Sequence, residues 1–92
     1  MSTEEIVDAL AEMNPEALLA DGLEDALVGF TVNNHHDHVA VYSYQRCVSI
    51  LVERDGMTEE DADEFLAFNT LDAYVGASGP LFVMMFPQEE SK

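Results

Sequence analysis

His35, His36, Asp37 and His38 form the densest set of metal-capable side chains in the chain. Neutral imidazoles beside a carboxylate suit zinc or nickel. A structural zinc site, however, draws its ligands from separated positions, and these four share one short loop with no matching Cys or His pair elsewhere. The stretch therefore reads as an exposed turn, and neither a metal nor another cofactor is expected. Cys47 would need a depressed pKa and a base within reach to act as a nucleophile. It falls instead on the apolar face of a helical pattern, the position of a packing cysteine. The many Asp and Glu residues cluster at helix starts, where they stay ionised and exposed, the wrong setting for a general acid. With no glycine-rich phosphate loop in the chain, the reading is a protein that is not an enzyme.

The remaining candidates are the carboxylates themselves. "TEEDADEFLAF" contains five of them, Glu59, Glu60, Asp61, Asp63 and Glu64, in a chain with three Lys and Arg residues in all. On a helix starting after Thr58, Glu59, Glu60, Asp63 and Glu64 lie opposite an inward stripe of Ala62, Phe65, Leu66 and Asn69. The N-terminal segment repeats the design, with Glu4, Glu5, Asp8 and Glu12 facing away from Ile6, Leu10 and Met13. The helix dipole favours anions in a first turn, which accounts for Glu4, Glu5, Glu59, Glu60 and Asp61. It does not account for Asp8, Glu12 or Glu64, where like charges one turn apart are mildly destabilising. Glu4 to Glu12 carry one charge per roughly 3–4 Å of helix axis. One strand of B-DNA carries a phosphate per roughly 3.4 Å, so such rows match the groove of a basic, nucleic-acid-handling protein. The partner-binding residues expected are Glu4, Asp8, Glu12, Glu59, Glu60, Asp63 and Glu64, with Asp72 as an extension.

A net charge of -16 on 10.2 kDa opposes nucleic acid and anionic membranes as direct partners and favours basic proteins. At 48% apolar residues the chain is too hydrophobic for a solvated acidic tail, so the charge belongs on a folded surface. Salt adaptation to a saline cytoplasm explains the overall balance equally well; clustering on two helical faces tips the choice modestly toward a binding role. One cysteine precludes an internal disulfide and suits a reducing interior, and "MSTEEIVDALAEM" lacks the basic and apolar blocks of a secretory signal. A cytoplasmic protein is expected.

Positioning these residues requires one small α+β domain over residues 1–92, with 87–92 as a flexible tail. Ser2 and Glu5 form a capping box for the first helix, and Asn14-Pro15 ends it and starts a second short helix, "PEALLA". "ALVGFTV" reads as a strand buried on both faces, and "VAVYSY" as its hairpin partner after the "NNHHDH" turn. Tyr44, Cys47, Val48 and Leu51 mark a third helix ended at Gly56, and Thr58 caps a fourth, continuing with a kink through "TLDAYV". "LFVMMF" reads as a central strand, giving the order ααββααβ and a three-stranded sheet packed by helices. Tyr42, Tyr44 and Tyr74 are candidates for a contact surface.

From about Ala20 to Val83, "ADGLEDALVGF", "VAVYSYQRCVSILVERDGMTEEDADEFLAFNTLDAYVG" and "GPLFV" resemble a family of small acidic, mostly uncharacterised proteins of tailed bacteriophages. The identifying words are "ERDGM" before an acidic helix, then "FN" and "YVG"; "NNHHDH" departs from the pattern. The resemblance implies a phage origin and action in the host cytoplasm. Small acidic phage proteins that block host nucleic-acid enzymes, including anti-CRISPR and anti-restriction types, form a known functional class. The leading expectation is a protein of this anti-defence or nucleic-acid-mimic kind. Its rivals are a homodimeric assembly module burying the "LFVMMF" edge, and a ligand-sequestering protein with a pocket near Tyr42, Asn69 and Tyr74.

Overall fold

Ser2 starts the first helix as its spacing to Glu5 anticipates. Its hydroxyl accepts the Glu5 N–H at 3.2 Å, and Glu5 Oε1 accepts the Ser2 N–H at 2.9 Å, closing a capping box over α1, Thr3–Met13. The Ser2 backbone N–H holds the Glu5 carboxyl below its ordinary range. This is a computed structural model, and it describes residues 2–32, 38–68 and 79–86. The expected tail, 87–92, and the expected continuation through "TLDAYV" lie outside those residues.

Ile6 and Leu10 bury the inner face of α1. Met13, expected to extend that face, is instead 52% exposed. Asn14 takes the inward position one turn beyond Leu10: its Nδ2 donates to the His38 carbonyl at 2.8 Å. Asn14 is extended, at φ -151° and ψ 91°, directly before Pro15, and there the helix ends.

"PEALLA" does not form a helix. The Asn14 side chain accepts the Glu16 N–H at 3.2 Å, making a local turn, and the Ala20 N–H donates to the Tyr42 hydroxyl at 2.8 Å instead of to a helical carbonyl. A segment this short has too little helical stability of its own to resist such partners. Gly22, at φ 85°, redirects the chain into a single 3₁₀ turn, Glu24–Ala26.

Strand β1, Leu27–Phe30, pairs antiparallel with β2, Ala40–Ser43, confirming the hairpin pairing. The register passes from Leu27 opposite Tyr42 to Gly29 opposite Val41, leaving Val28 as a bulged extra residue. The prediction that this strand is buried on both faces fails. Leu27 is buried, and Val28, Gly29 and Phe30 are half-buried, because β1 occupies one edge of the sheet. Strand β3, Leu81–Val83, is the other edge, not the centre, and runs parallel to β2. A parallel partner must be reached by a crossover, and the helical segment after β2 delivers β3 to the side that β1 leaves open.

Helix α2, Tyr44–Asp55, follows β2 directly, with Ser43 accepting the Arg46 N–H as its cap and Gly56 closing it at φ 73°. Arg54, in its last turn, donates to the Gly22 carbonyl at 2.6 Å and pairs with Asp55 at 3.0 Å. Helix α3, Glu59–Leu66, is capped by Thr58, whose Oγ1 accepts the Asp61 N–H at 3.0 Å.

α1 packs against β1, and α3 packs against α2. Ile6, Leu10, Leu27, Tyr42, Cys47, Leu51, Ala62 and Leu66 belong to one hydrophobic core. The helices and three-stranded mixed sheet therefore form the α+β architecture expected, with one helix fewer among the described residues. Tyr42, proposed from sequence as a contact residue, is 1% exposed. Its ring stacks on Phe82 with centroids 5.3 Å apart, so it is a core residue.

Candidate functional site

The seven carboxylates singled out by spacing are all exposed. Glu4, Asp8 and Glu12 rise one turn apart along α1, and Glu59, Glu60, Asp63 and Glu64 occupy the outer side of α3. The ion pair of Arg54 with Asp55 involves none of them. Asp72 lies outside the described residues. Within each helix the carboxylates share a face, but the two rows have different supports, β1 under α1 and α2 under α3.

Asp63 differs from its neighbours. The Tyr44 hydroxyl donates to Asp63 Oδ1 at 2.6 Å, linking α2 to α3. Burial and this acceptor push the Tyr44 phenol up to about 12. Asp63 is thus partly structural, whereas Glu60 and Glu64 project one turn apart on the exposed side of α3.

Sequence reasoning missed the apolar component beside this row. The predicted inward stripe holds for Ala62 and Leu66, which are buried, but Phe65 is 41% exposed. The small Ala62 lets α3 lie close to α2 along the Ala62–Leu66 line, and Phe65 falls at its margin. Asn69 lies outside the described residues. Phe65 joins Met57, Asp61, Glu64 and Phe68 around an open groove of about 410 Å³. Phe68 is 77% exposed. The signal available was the spacing of Asp61, Glu64, Phe65 and Phe68, which recur at three and four residues on one helical face.

A second groove, of about 420 Å³, crosses β1 and is lined by Ile6, Leu27, Val28, Gly29, Phe30, Arg46 and Met85. Gln45 holds its rim: its side-chain amide both donates to the Met85 carbonyl and accepts the Met85 N–H, each at 3.1 Å. The side chain thereby pairs with backbone just past β3 as another strand would.

The other chemistry-bearing residues have structural surroundings. Cys47 is fully buried, and burial pushes its thiol up to about 11, so it is protonated at neutral pH. The His38 ring meets Phe30 edge-on at 6.3 Å. His35, His36 and Asp37 lie outside the described residues, and among the described residues no cluster of three His, Cys, Asp or Glu could hold a metal. Among the same residues no helix is long and apolar enough to cross a membrane. The chain matches no known family model, and no curated protein or solved structure is significantly similar to it.

Proposed function

We propose that this chain is a non-enzymatic acidic phage protein that binds a basic, nucleic-acid-handling host protein in the host cytoplasm and competes for its nucleic-acid groove. The observation that carries this reading is the exposure of two carboxylate rows, Glu4-Asp8-Glu12 and Glu59-Glu60-Glu64, on the surface of a folded domain with net charge -16. Neither row contains a lysine or arginine, so its potential is directed at an external cation. Counterion release from the two charged surfaces drives the contact.

Capture of proteins from host lysate at low salt, followed by elution in a salt gradient, tests the reading. The expected eluate is a basic nucleic-acid-binding protein whose retention by Glu60→Lys/Glu64→Lys is lost while the helical circular dichroism is unchanged. Retention indifferent to salt and to both reversals would rule out electrostatic mimicry.

A second reading rests on a separate observation. Edge strand β3 and the residues after it expose Leu81 at 49%, Met84 at 50% and Phe86 at 77%, an apolar margin suited to a homodimer. Repulsion between two chains of charge -16 opposes that association. Sedimentation across protein concentration separates the readings, since a dimer forms without any host partner.

A further inference from the structure

We infer that residues 14–22 form a strap over the buried Tyr42, latched by Arg54, that opens as a unit while the core beneath it stays folded. This conformational device is independent of what the carboxylate rows bind.

Residues 14–22 adopt neither helix nor strand, and in the chain they lie between two buried core residues, Leu10 of α1 and Leu23. Lifting the segment leaves both of these seated. Little apolar surface holds it down, because Ala17 and Ala20 are the residues it packs against the core, while Leu18 and Leu19 are 42% and 41% exposed. Polar bonds from far along the chain do the holding. Asn14 Nδ2 donates to the His38 carbonyl at 2.8 Å at one end, the Ala20 N–H donates to the Tyr42 hydroxyl at 2.8 Å, and Arg54 Nη1 donates to the Gly22 carbonyl at 2.6 Å at the other. Asp55 grips the guanidinium through Nε and Nη2, each at 3.0 Å, which aims Nη1 at the turn. Gly22, at φ 85°, supplies the bend on which the strap swings. Opening returns these polar groups to water, so it costs far less than unfolding the helices and sheet below. Local sequence pulls the same way. Asn14-Pro15 and Gly22 are helix start and stop signals that the closed form overrides, and such a conflict between local and tertiary preference marks an element with two states. Opening uncovers Tyr42, which the closed strap keeps at 1% exposure.

Amide hydrogen exchange of the full chain, read by NMR in increasing urea below the unfolding transition, tests the strap. The Ala20 N–H reports on it, and the N–H of Leu51, buried in α2, reports on the core. After correction for intrinsic rates, Ala20 is expected to exchange at least roughly ten-fold faster than Leu51, with a much weaker dependence on urea, because strap opening exposes little surface. Arg54→Ala and Asn14→Ala are each expected to speed Ala20 by roughly three- to ten-fold, the loss of one hydrogen bond from the closed form. The Asn14 variant is the sharper test. Its bond lies six residues from Ala20, so only an opening that moves the whole segment transmits its loss. Ala20 exchanging at the Leu51 rate with the same urea slope overturns the strap, since the segment then opens only with the entire fold. Fast exchange of Ala20 that Asn14→Ala leaves unchanged also overturns it, by reducing the motion to a local fluctuation. The comparison of Ala20 with Leu51 in the unsubstituted chain decides the first point even where a variant fails to fold.

Discussion

The Tyr44 hydroxyl donates to Asp63 Oδ1 at 2.6 Å, tying the first residue of α2 to the outer side of α3. The acidic row on α3 thus contains one member that helps hold its own helix in place. Tyr44→Phe and Asp63→Ala are each expected to cost about 1 kcal/mol, the usual net worth of a side-chain hydrogen bond. The double variant should cost clearly less than the two losses added together, because both remove the same bond. Urea unfolding of all four proteins measures the coupling; simple additivity would mean the bond contributes nothing. Glu60→Lys and Glu64→Lys should leave the midpoint nearly unmoved, which is why they suit the binding test.

Burial separates two neighbours on α3. Leu66 is fully buried, whereas Phe65 is 41% exposed. Leu66→Ala is expected to destabilise by about 2–5 kcal/mol, a large part of the total for a domain of this size. Phe65→Ala should cost well under half as much, although it deletes the larger side chain. Thermal melts of the pair decide it, and equal losses would place Phe65 in the core.

Two glycines are expected to respond oppositely to alanine. Gly56 sits at φ 73°, so a Cβ there forces a left-handed conformation at a cost of about 1–2 kcal/mol, with no clash contributing. Gly29 has ordinary backbone and no atom within 4 Å of an added Cβ, so alanine there should be neutral or slightly stabilising through the unfolded state. Denaturation midpoints of the two variants should move in different directions or differ by the strain alone.

Stability should fall in alkali. The Cys47 thiol is pushed by burial from 9.0 to about 11 and the Tyr44 phenol from 10.0 to about 12, and burial raises Tyr42 as well. All three bind their proton more tightly folded than unfolded. Their contributions are therefore fully present below the unfolded pKa values and are lost as pH rises through the folded ones. Urea midpoints measured from pH 7 upward should be level with respect to these groups until about pH 9 and fall from there toward pH 12. In Cys47→Ala the fall should begin later, near the ordinary tyrosine value; an unchanged onset would mean Cys47 contributes none of it.

Added salt should stabilise the isolated domain. The charge of -16 is felt across the molecule at a Debye length of about 30 Å in 0.01 M salt and is screened at about 3 Å in 1 M. Each kcal/mol of relieved repulsion raises the thermal midpoint by about 4–8 °C for a domain of this size. The chain is expected to remain folded in 0.01 M salt with a lower midpoint. Unfolding there would favour adaptation to a saline cytoplasm over a binding role as the origin of the acidity.

Much of this fold was legible in the sequence because its signals are local. Ser2 with Glu5, Thr58 with Asp61, and the left-handed Gly56 are decided by hydrogen bonds and backbone preferences within a few residues, and all three act where spacing placed them. The exposure of the carboxylate rows was legible for the same reason, since helical periodicity sets which side chains face away from Leu10 and Leu66. Where partners came from far along the chain, tertiary structure decided. The Tyr42 hydroxyl takes the Ala20 N–H from a distance of 22 residues and unmakes the "PEALLA" helix; Asn14 meets His38 across 24 and displaces Met13 from the inner face. β3 reads as a buried strand by composition, but the position between β1 and β3 is held by β2, which has a neighbour available on each side. Likewise the groove joins Phe65 on α3 and Phe68 just past its end to Met57 on the far side of its cap, and helical periodicity does not extend through a turn. Sequence alone determined the caps at Ser2, Thr58 and Gly56 and the charged faces of α1 and α3; packing determined which short apolar segments became helix and which apolar residues those faces leave exposed.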